Sequence, residues 1–205
     1  PKRMIGHLYI VTAPSGAGKT TLVRLLLGSD SGIRVSISIT TRVPRAGEKD
    51  GREYHFVDVQ DFLGRVGRGE FLEWAEVHGN YYGTSRHWIE AEMTAGRDIV
   101  LEIDWQGAQQ VRQTFPEAIS VFILPPSLEA LSDRLSGRGT DSAETIARRI
   151  AAAREEMRHV EEFDYVIIND DLQQAHDNLL SVIRASRLQY TTQRQRHSAL
   201  FATLL

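Results

Sequence analysis

The chain has 205 residues, of which 41% are hydrophobic and 25% charged, with a formal net charge of −3. That length supports one well-buried core with a small inserted lobe. The weak acidity argues against a broad nucleic-acid surface, no apolar run approaches the ~20 residues of a membrane helix, and the absence of cysteine excludes disulfides, thiolate metal sites and a thiol nucleophile. Pro1 to Gly6 lead into the first strand without a signal-peptide core, so the expectation is a cytoplasmic protein with neither nucleic acid nor membrane as partner.

The first predicted element is an apolar strand over residues 8–11. Ala13, Pro14, Ser15, Gly16, Ala17, Gly18, Lys19, Thr20 and Thr21 follow, and a helix over 19–28 carries Leu22, Val23, Leu25, Leu26 and Leu27. Strand, glycine-rich loop and helix in that order form a phosphate cradle. Backbone N–H groups wrap a polyphosphate, Lys19 reaches the outer phosphates, and the Thr20 hydroxyl can face Mg²⁺. Lys19 is one of only three lysines (Lys2, Lys19, Lys49) among 24 basic residues. A compact ammonium fits between phosphates where a planar guanidinium would crowd the loop. Ala13 replaces the first glycine of G-x-x-x-x-G-K-[ST], which a negative φ would allow.

Residues 35–85 are richer in tyrosine, glycine and charge. The alternation through Tyr54, His55, Phe56, Val57, Asp58 and Val59 and a turn at Gly79 and Asn80 predict a partly antiparallel lobe, with a short helix over 61–71. Beyond it, apolar runs at 99–101, 119–124 and 165–168 read as buried strands. They alternate with helical patterns near 86–96, 105–113, 127–136, 142–161 and 171–190, which argues a parallel α/β sheet. For 142–161, Asp141 and Glu144 form a capping-box-like start, and Ile146, Ile150, Ala153, Met157 and Val160 make one apolar stripe. The polar stretch 189–197 reads as the end of the last helix.

Arg42 and Arg45 flank Pro44 in a stiffened turn, where two guanidinium forks can clamp one phosphate and a tyrosine hydroxyl can add a hydrogen bond. Glu73, taken alone, reads as an exposed carboxylate at a helix end. Glu102 and Asp104 close the strand at 99–103, where carboxylates face the ligand cleft of an open α/β sheet. Arg134, Arg138, Arg148 and Arg149 gather around the glycine-rich Ser136, Gly137, Arg138 and Gly139, and Arg148 reads as a solvated helix face.

The segment with Thr40, Thr41, Arg42, Arg45, Glu48, Gly51, Tyr54, Phe56 and Val57 resembles the signature of guanylate kinases. The resemblance continues through Phe71, Glu73 and Ala75; Gly79, Tyr82 and Thr84; Ile103, Asp104 and Gly107; Leu135, Arg138 and Gly139; and Asn169 with Asp171. It covers nearly the whole chain in family order. It implies a P-loop kinase of α/β class: a parallel sheet core flanked by helices (1–34, 86–126 and 160–205), an inserted mixed α/β GMP-binding lobe (35–85) and a short helical lid (127–159).

By the same resemblance Arg42, Arg45, Tyr54 and Tyr82 hold the phosphate of GMP, while Ser38, Glu73, Thr84 and Asp104 contact the guanine. A carboxylate only accepts hydrogen bonds, and guanine offers it a ring N–H and an adjacent amine together. Residues 13–21 bind ATP, and Asn169 lies near its adenine. Arg134, Arg138 and Arg149 swing onto the ATP phosphates beside the catalytic Lys19. Thr20 and, through water, Glu102 serve Mg²⁺, Glu102 standing where the family has an Asp. The implied reaction moves the γ-phosphate of ATP to GMP, giving ADP and GDP in purine nucleotide metabolism and GMP recycling. Two other readings stay open: a non-catalytic phosphopeptide-binding module of this scaffold, and a related kinase with another acceptor such as a phosphorylated sugar. So do dGMP as an acceptor and a homo-oligomer.

Overall fold

The computed structural model describes residues 5–77, 79–136 and 142–205. The elements in chain order are β1 (Leu8–Thr12), α1 (Lys19–Ser29), β2 (Ile33–Val35), β3 (Ile39–Thr40), β4 (His55–Phe56), α2 (Val59–Gly67), β5 (Phe71–Val77), β6 (Asn80–Ser85), α3 (Arg86–Thr94), β7 (Asp98–Glu102), α4 (Trp105–Thr114), β8 (Ile119–Leu124), α5 (Leu128–Ser136), α6 (Ala143–Met157), β9 (Tyr165–Ile168), α7 (Leu172–Arg187), α8 (Tyr190–Arg196) and α9 (Ser198–Leu204). A 3₁₀ turn, Val160–Glu162, precedes β9.

Five parallel strands form the core sheet in the order β2-β7-β1-β8-β9. Period-two alternation sorts β1 between two apolar layers. Tyr9 and Val11 join α1 and α7 on one face, with Leu22, Leu26, Leu179 and Ile183. Leu8 and Ile10 join α3 and α4 on the other, with Ile89, Met93, Ala108 and Val111. The central strands are therefore largely apolar, as expected for a sheet covered on both faces, with Asp98 opening β7 and Ser120 buried in β8.

The second sheet, in the order β4-β3-β6-β5, is mixed. β3 and β4 are parallel, while β6 is antiparallel to both β3 and β5. The β5–β6 hairpin turns at Gly79, whose φ of +76° suits a residue without Cβ. α2 covers this sheet: Phe62 stacks on Phe71 and Tyr81 with centroids 4.6 and 5.4 Å apart.

Four expectations change. The helix placed over 61–71 is α2, because Asp58 caps it by accepting the Asp61 N–H at 2.7 Å, and Phe71 instead opens β5. α6 is capped by Ser142, whose hydroxyl accepts the Thr145 N–H, and Asp141 lies outside the described residues; the helix ends at Met157, before Val160. The strand at 165–168 is buried only at Ile167, because β9 is the sheet edge and leaves Tyr165, Val166 and Ile168 exposed. The stretch at 189–197 does not prolong α7 but forms α8, with α9 beyond it.

The N-terminal ends of the core strands are closed by an ion network. Asp98, buried at the start of β7, accepts hydrogen bonds from the His7 backbone (2.7 Å) and from Arg187 Nε (2.7 Å). Arg187 also pairs with Asp30 at 2.5 Å, and the His7 ring meets the Thr192 hydroxyl at 3.0 Å, tying α1, α7 and α8 to the sheet. Among the described residues no helix is long and apolar enough to cross a membrane.

Candidate active site

The opposite, C-terminal edge of the core sheet carries the phosphate loop between β1 and α1. Two of its glycines take left-handed φ values, Gly16 at +88° and Gly18 at +93°, and Gly18 stands at the N-cap of α1. A Cβ on Gly18 would come within 2.4 Å of Asn169 Nδ2, so only glycine fits both the torsion and the space. Ala13 is half-buried and packs on the α1–α7 side of the core, while the strained turns fall at Gly16 and Gly18. Asn169, buried at the end of β9, donates from Nδ2 to the Ala17 carbonyl at 2.8 Å. Arg134 Nη2 donates to the Asn169 carbonyl at 2.9 Å. The loop is thus braced from α5 and β9.

The loop residues, with Asp104, Arg134 and Glu156, line a cavity of about 540 Å³. Lys19, at the first turn of α1, has its pKa lowered by burial, opposed by the charges of Glu102, Asp104 and Glu156. Burial also raises the pKa of Glu156; Asp104 adds to that and Lys19 resists it. Arg149 reaches the loop from α6, donating to the Ser15 hydroxyl at 3.2 Å. Glu156 was not foreseen from the sequence. It stands seven residues after Arg149, on the same helix face, and that spacing was legible. Arg148 is exposed, as read, and Arg138 lies outside the described residues.

The Thr20 hydroxyl faces Glu102 Oε2 at 3.5 Å. A hydroxyl and a carboxylate are the hard oxygen donors Mg²⁺ takes when most of its shell is phosphate and water, so this pair fits such an ion. Among the described residues no group of three or more His, Cys, Asp or Glu side chains could cage a metal.

In the second lobe, the turn bearing Arg42 is set by two threonines. The buried Thr40 hydroxyl donates to the Tyr81 carbonyl (2.9 Å) and accepts the Arg42 N–H (3.1 Å), while Thr41 accepts the Tyr81 N–H (2.9 Å). Arg42 lies over the Tyr54 ring, 5.3 Å from its centroid, and Tyr54 meets Tyr82 edge-on at 5.9 Å. One Arg42 nitrogen contacts both oxygens of Glu48, at 2.8 and 2.9 Å, and the Arg45 N–H donates to the same carboxylate at 2.8 Å. Arg42 first, then the Arg45 N–H, hold the Glu48 pKa below the usual range. The Arg42 guanidinium and the Arg45 backbone N–H thus meet on one carboxylate, an anion-sized position, with Tyr54 and Tyr82 beside Arg42. Glu48 was a signature residue without a role; its place three residues after Arg45 was the available signal.

Glu73 is neither exposed nor at a helix end. It sits in β5 with 9% exposure and accepts a 2.5 Å hydrogen bond from the buried Thr84 hydroxyl of β6. Burial raises its pKa, Thr84 opposes, and the Asp104 charge adds to the rise. Asp104 caps α4 by accepting the Gly107 N–H at 2.8 Å. A Cβ on Gly107 would sit 3.3 Å from Asp104 Oδ1 and 3.4 Å from Glu73 Oε2, so the two carboxylates converge over a bare backbone. Asp104 also lines the phosphate-loop cavity and so joins the two halves of the site. Ser38 lies just before β3, its carbonyl accepting the His55 N–H at 2.9 Å.

Residues 5–186 match the family model described as guanylate kinase. The chain belongs to the guanylate kinase family. It is 64% identical over 202 residues to the guanylate kinase of Dechloromonas aromatica, covering 98% of this chain and all of that one. It is 65% identical over 198 residues to that of Aromatoleum aromaticum, covering 97% of each. Among solved structures, guanylate kinase from Anaplasma phagocytophilum superposes with a TM-score of 0.72 at 34% identity, covering 92% of this chain and 89% of that one. The parallel sheet core flanked by helices is thus the guanylate kinase architecture. In a member of this family the paired carboxylates and the arginine turn face a specific question, which acceptor they hold.

Proposed function

We propose that the chain transfers the γ-phosphate of ATP to GMP, giving ADP and GDP, with the acceptor held by Arg42, Arg45, Tyr54, Tyr82, Ser38, Glu73, Thr84 and Asp104. The observation that carries the reading is the convergence of Glu73 and Asp104 beside the phosphate loop. Two acceptors meet the ring N–H and amine of guanine, whereas adenine would present its own ring acceptor to them. A site built on such pairing discriminates by roughly 10⁴–10⁵. Residues 35–85 then serve as the GMP lobe, 127–159 as the lid and the remainder as the core.

An oxygen of the GMP phosphate attacks the γ-phosphorus in line as the bond to the ADP oxygen breaks. The nucleophile is already anionic at neutral pH, so no general base is needed. Catalysis is positioning and charge stabilisation: the loop N–H groups and Lys19 hold the triphosphate, and Arg134, Arg138 and Arg149 meet charge developing on the transferred group. Thr20 and Glu102 would hold Mg²⁺, which when bound neutralises phosphate charge. Asn169 acts first as a brace for the loop, one of its amide N–H groups donating to the Ala17 carbonyl.

The test is ADP release from ATP with GMP, dGMP, AMP, CMP and UMP offered in turn. Release is expected with GMP, and dGMP measures how far the ribose 2′-hydroxyl matters. No release with any acceptor favours the peptide-binding module and sinks the reading. Arg42→Ala is expected to raise KM for GMP far more than KM for ATP; equal effects would place Arg42 outside the acceptor site.

A further inference from the structure

We infer that Gln110 is a positioning residue for the acceptor base: its side-chain amide clips β5 to α4 and so holds Glu73 opposite Asp104. The inference rests on the assignment of those two carboxylates to guanine, and it concerns how they are kept in place.

β5 is the edge of the second sheet, so among the described residues one side of its backbone has no strand neighbour. Gln110, on α4 of the core, fills that position at one residue. Its Oε1 accepts the Trp74 N–H at 3.1 Å and its Nε2 donates to the Trp74 carbonyl at 3.3 Å. An amide side chain is the mimic this requires, since it offers a carbonyl and an N–H side by side.

The clip sits where it matters for the base. The β5–β6 register shifts between Phe71 and Glu73, an irregularity of the kind that re-aims a side chain. Leu72, inside that shift, is buried in the core layer with Ala108 and Val111 of α4. Glu73 is thus bracketed by two anchors to the core, Leu72 before it and the Gln110–Trp74 pair after it. Gly107, one turn before Gln110, leaves room for Glu73 and Asp104 to approach. That approach needs holding, because the two carboxylates repel and one of them is buried.

The experiment is steady-state kinetics and thermal melting of the full chain with Gln110→Met, which keeps the volume and loses both hydrogen bonds. Gln110→Glu serves as a second variant, keeping the acceptor for Trp74 N–H and turning an oxygen on its carbonyl. Both are expected to raise KM for GMP about 3–10-fold, the worth of one or two neutral hydrogen bonds. KM for ATP should stay within about two-fold, and the preference for GMP over AMP should fall. Unchanged KM for GMP in both variants, alongside a raised KM in Glu73→Gln, overturns the clip and leaves the guanine assignment standing. A lower melting temperature with both KM values moved equally makes Gln110 a stability residue and also overturns it. An unaltered KM for GMP in Glu73→Gln brings down the guanine assignment, and the inference with it.

Discussion

The two ends of the core sheet handle charge in opposite ways. At the N-terminal ends of the strands, burial alone would raise the pKa of Asp98, but hydrogen bonds from His7 and Arg187 outweigh it and hold it low. Each charge there has a partner: Arg187 spans Asp98 and Asp30, and Arg196 approaches Asp98 at 3.8 Å. At the C-terminal ends, Glu73 and Glu156 are pushed up by burial and by Asp104, and Lys19 is pushed down. One end uses charge to fasten helices to strands. The other leaves two carboxylates and an ammonium displaced from their ordinary values by burial. Perturbed groups gathered in a cleft mark the working end.

This contrast can be broken from either side. The largest effect is expected from Asp98→Ala, which takes from Arg187 one of its two carboxylates and from the His7 N–H its acceptor. Removing one partner of a buried pair costs about 3–5 kcal/mol, seen as a fall in unfolding free energy with KM for both nucleotides unchanged. Because the Asp98 pKa is depressed, its contribution is present above the ordinary carboxylate value and fades as pH falls through the folded value. An acid midpoint that does not move between wild type and Asp98→Asn would remove the network from the stability account.

Next comes Lys19→Ala, expected to lower kcat by about 10²–10³-fold, the worth of one preorganised transition-state contact. A variant with near-normal turnover would dismiss the phosphate-loop assignment. Glu73→Gln separates the ends most directly. Losing charge-assisted hydrogen bonds worth about 1.5–3 kcal/mol should cut kcat/KM for GMP roughly 10–10²-fold, while melting at neutral pH should rise, because a buried, repelled charge is gone. The sign follows from the raised pKa: the folded state binds the proton more tightly than the unfolded chain. The penalty is present at neutral pH and is relieved as pH falls through the raised value towards the ordinary one near ~4.3. GMP binding should weaken over that same interval. A Glu73→Gln protein that melts lower than wild type would contradict the contrast. The smallest effect is expected from Asn169→Ala, which removes one hydrogen bond to the loop and should raise KM for ATP several-fold, by about 1 kcal/mol. An equal loss with GTP as donor supports bracing alone, whereas a changed preference between ATP and GTP puts Asn169 at the base.

The loop from Ala13 to Thr21 was legible in the sequence because strand, glycines, lysine and helix are contiguous, and contiguous residues need no tertiary knowledge to be placed together. The alternation of central strands and helices was legible for the same reason. Glu73 was not: its neighbours do not say that a register shift and Thr84 will bury it, and alone it reads as surface. Nor was β9 as an edge, since apolar content does not distinguish a central strand from a border one. The α2 and α6 boundaries were set by Asp58 and Ser142, whose capping depends on local torsions.

By itself, then, the chain's order of residues determined that a triphosphate is gripped at the end of a parallel sheet, because that grip is made from one uninterrupted segment of backbone. Only the tertiary structure decided that Glu73 faces Asp104 over Gly107, that Gln110 closes the edge at Trp74, and that Glu156 looks into the phosphate cavity. Those arrangements join residues tens of positions apart, and their energies come from burial and repulsion that exist only once the two sheets are packed together.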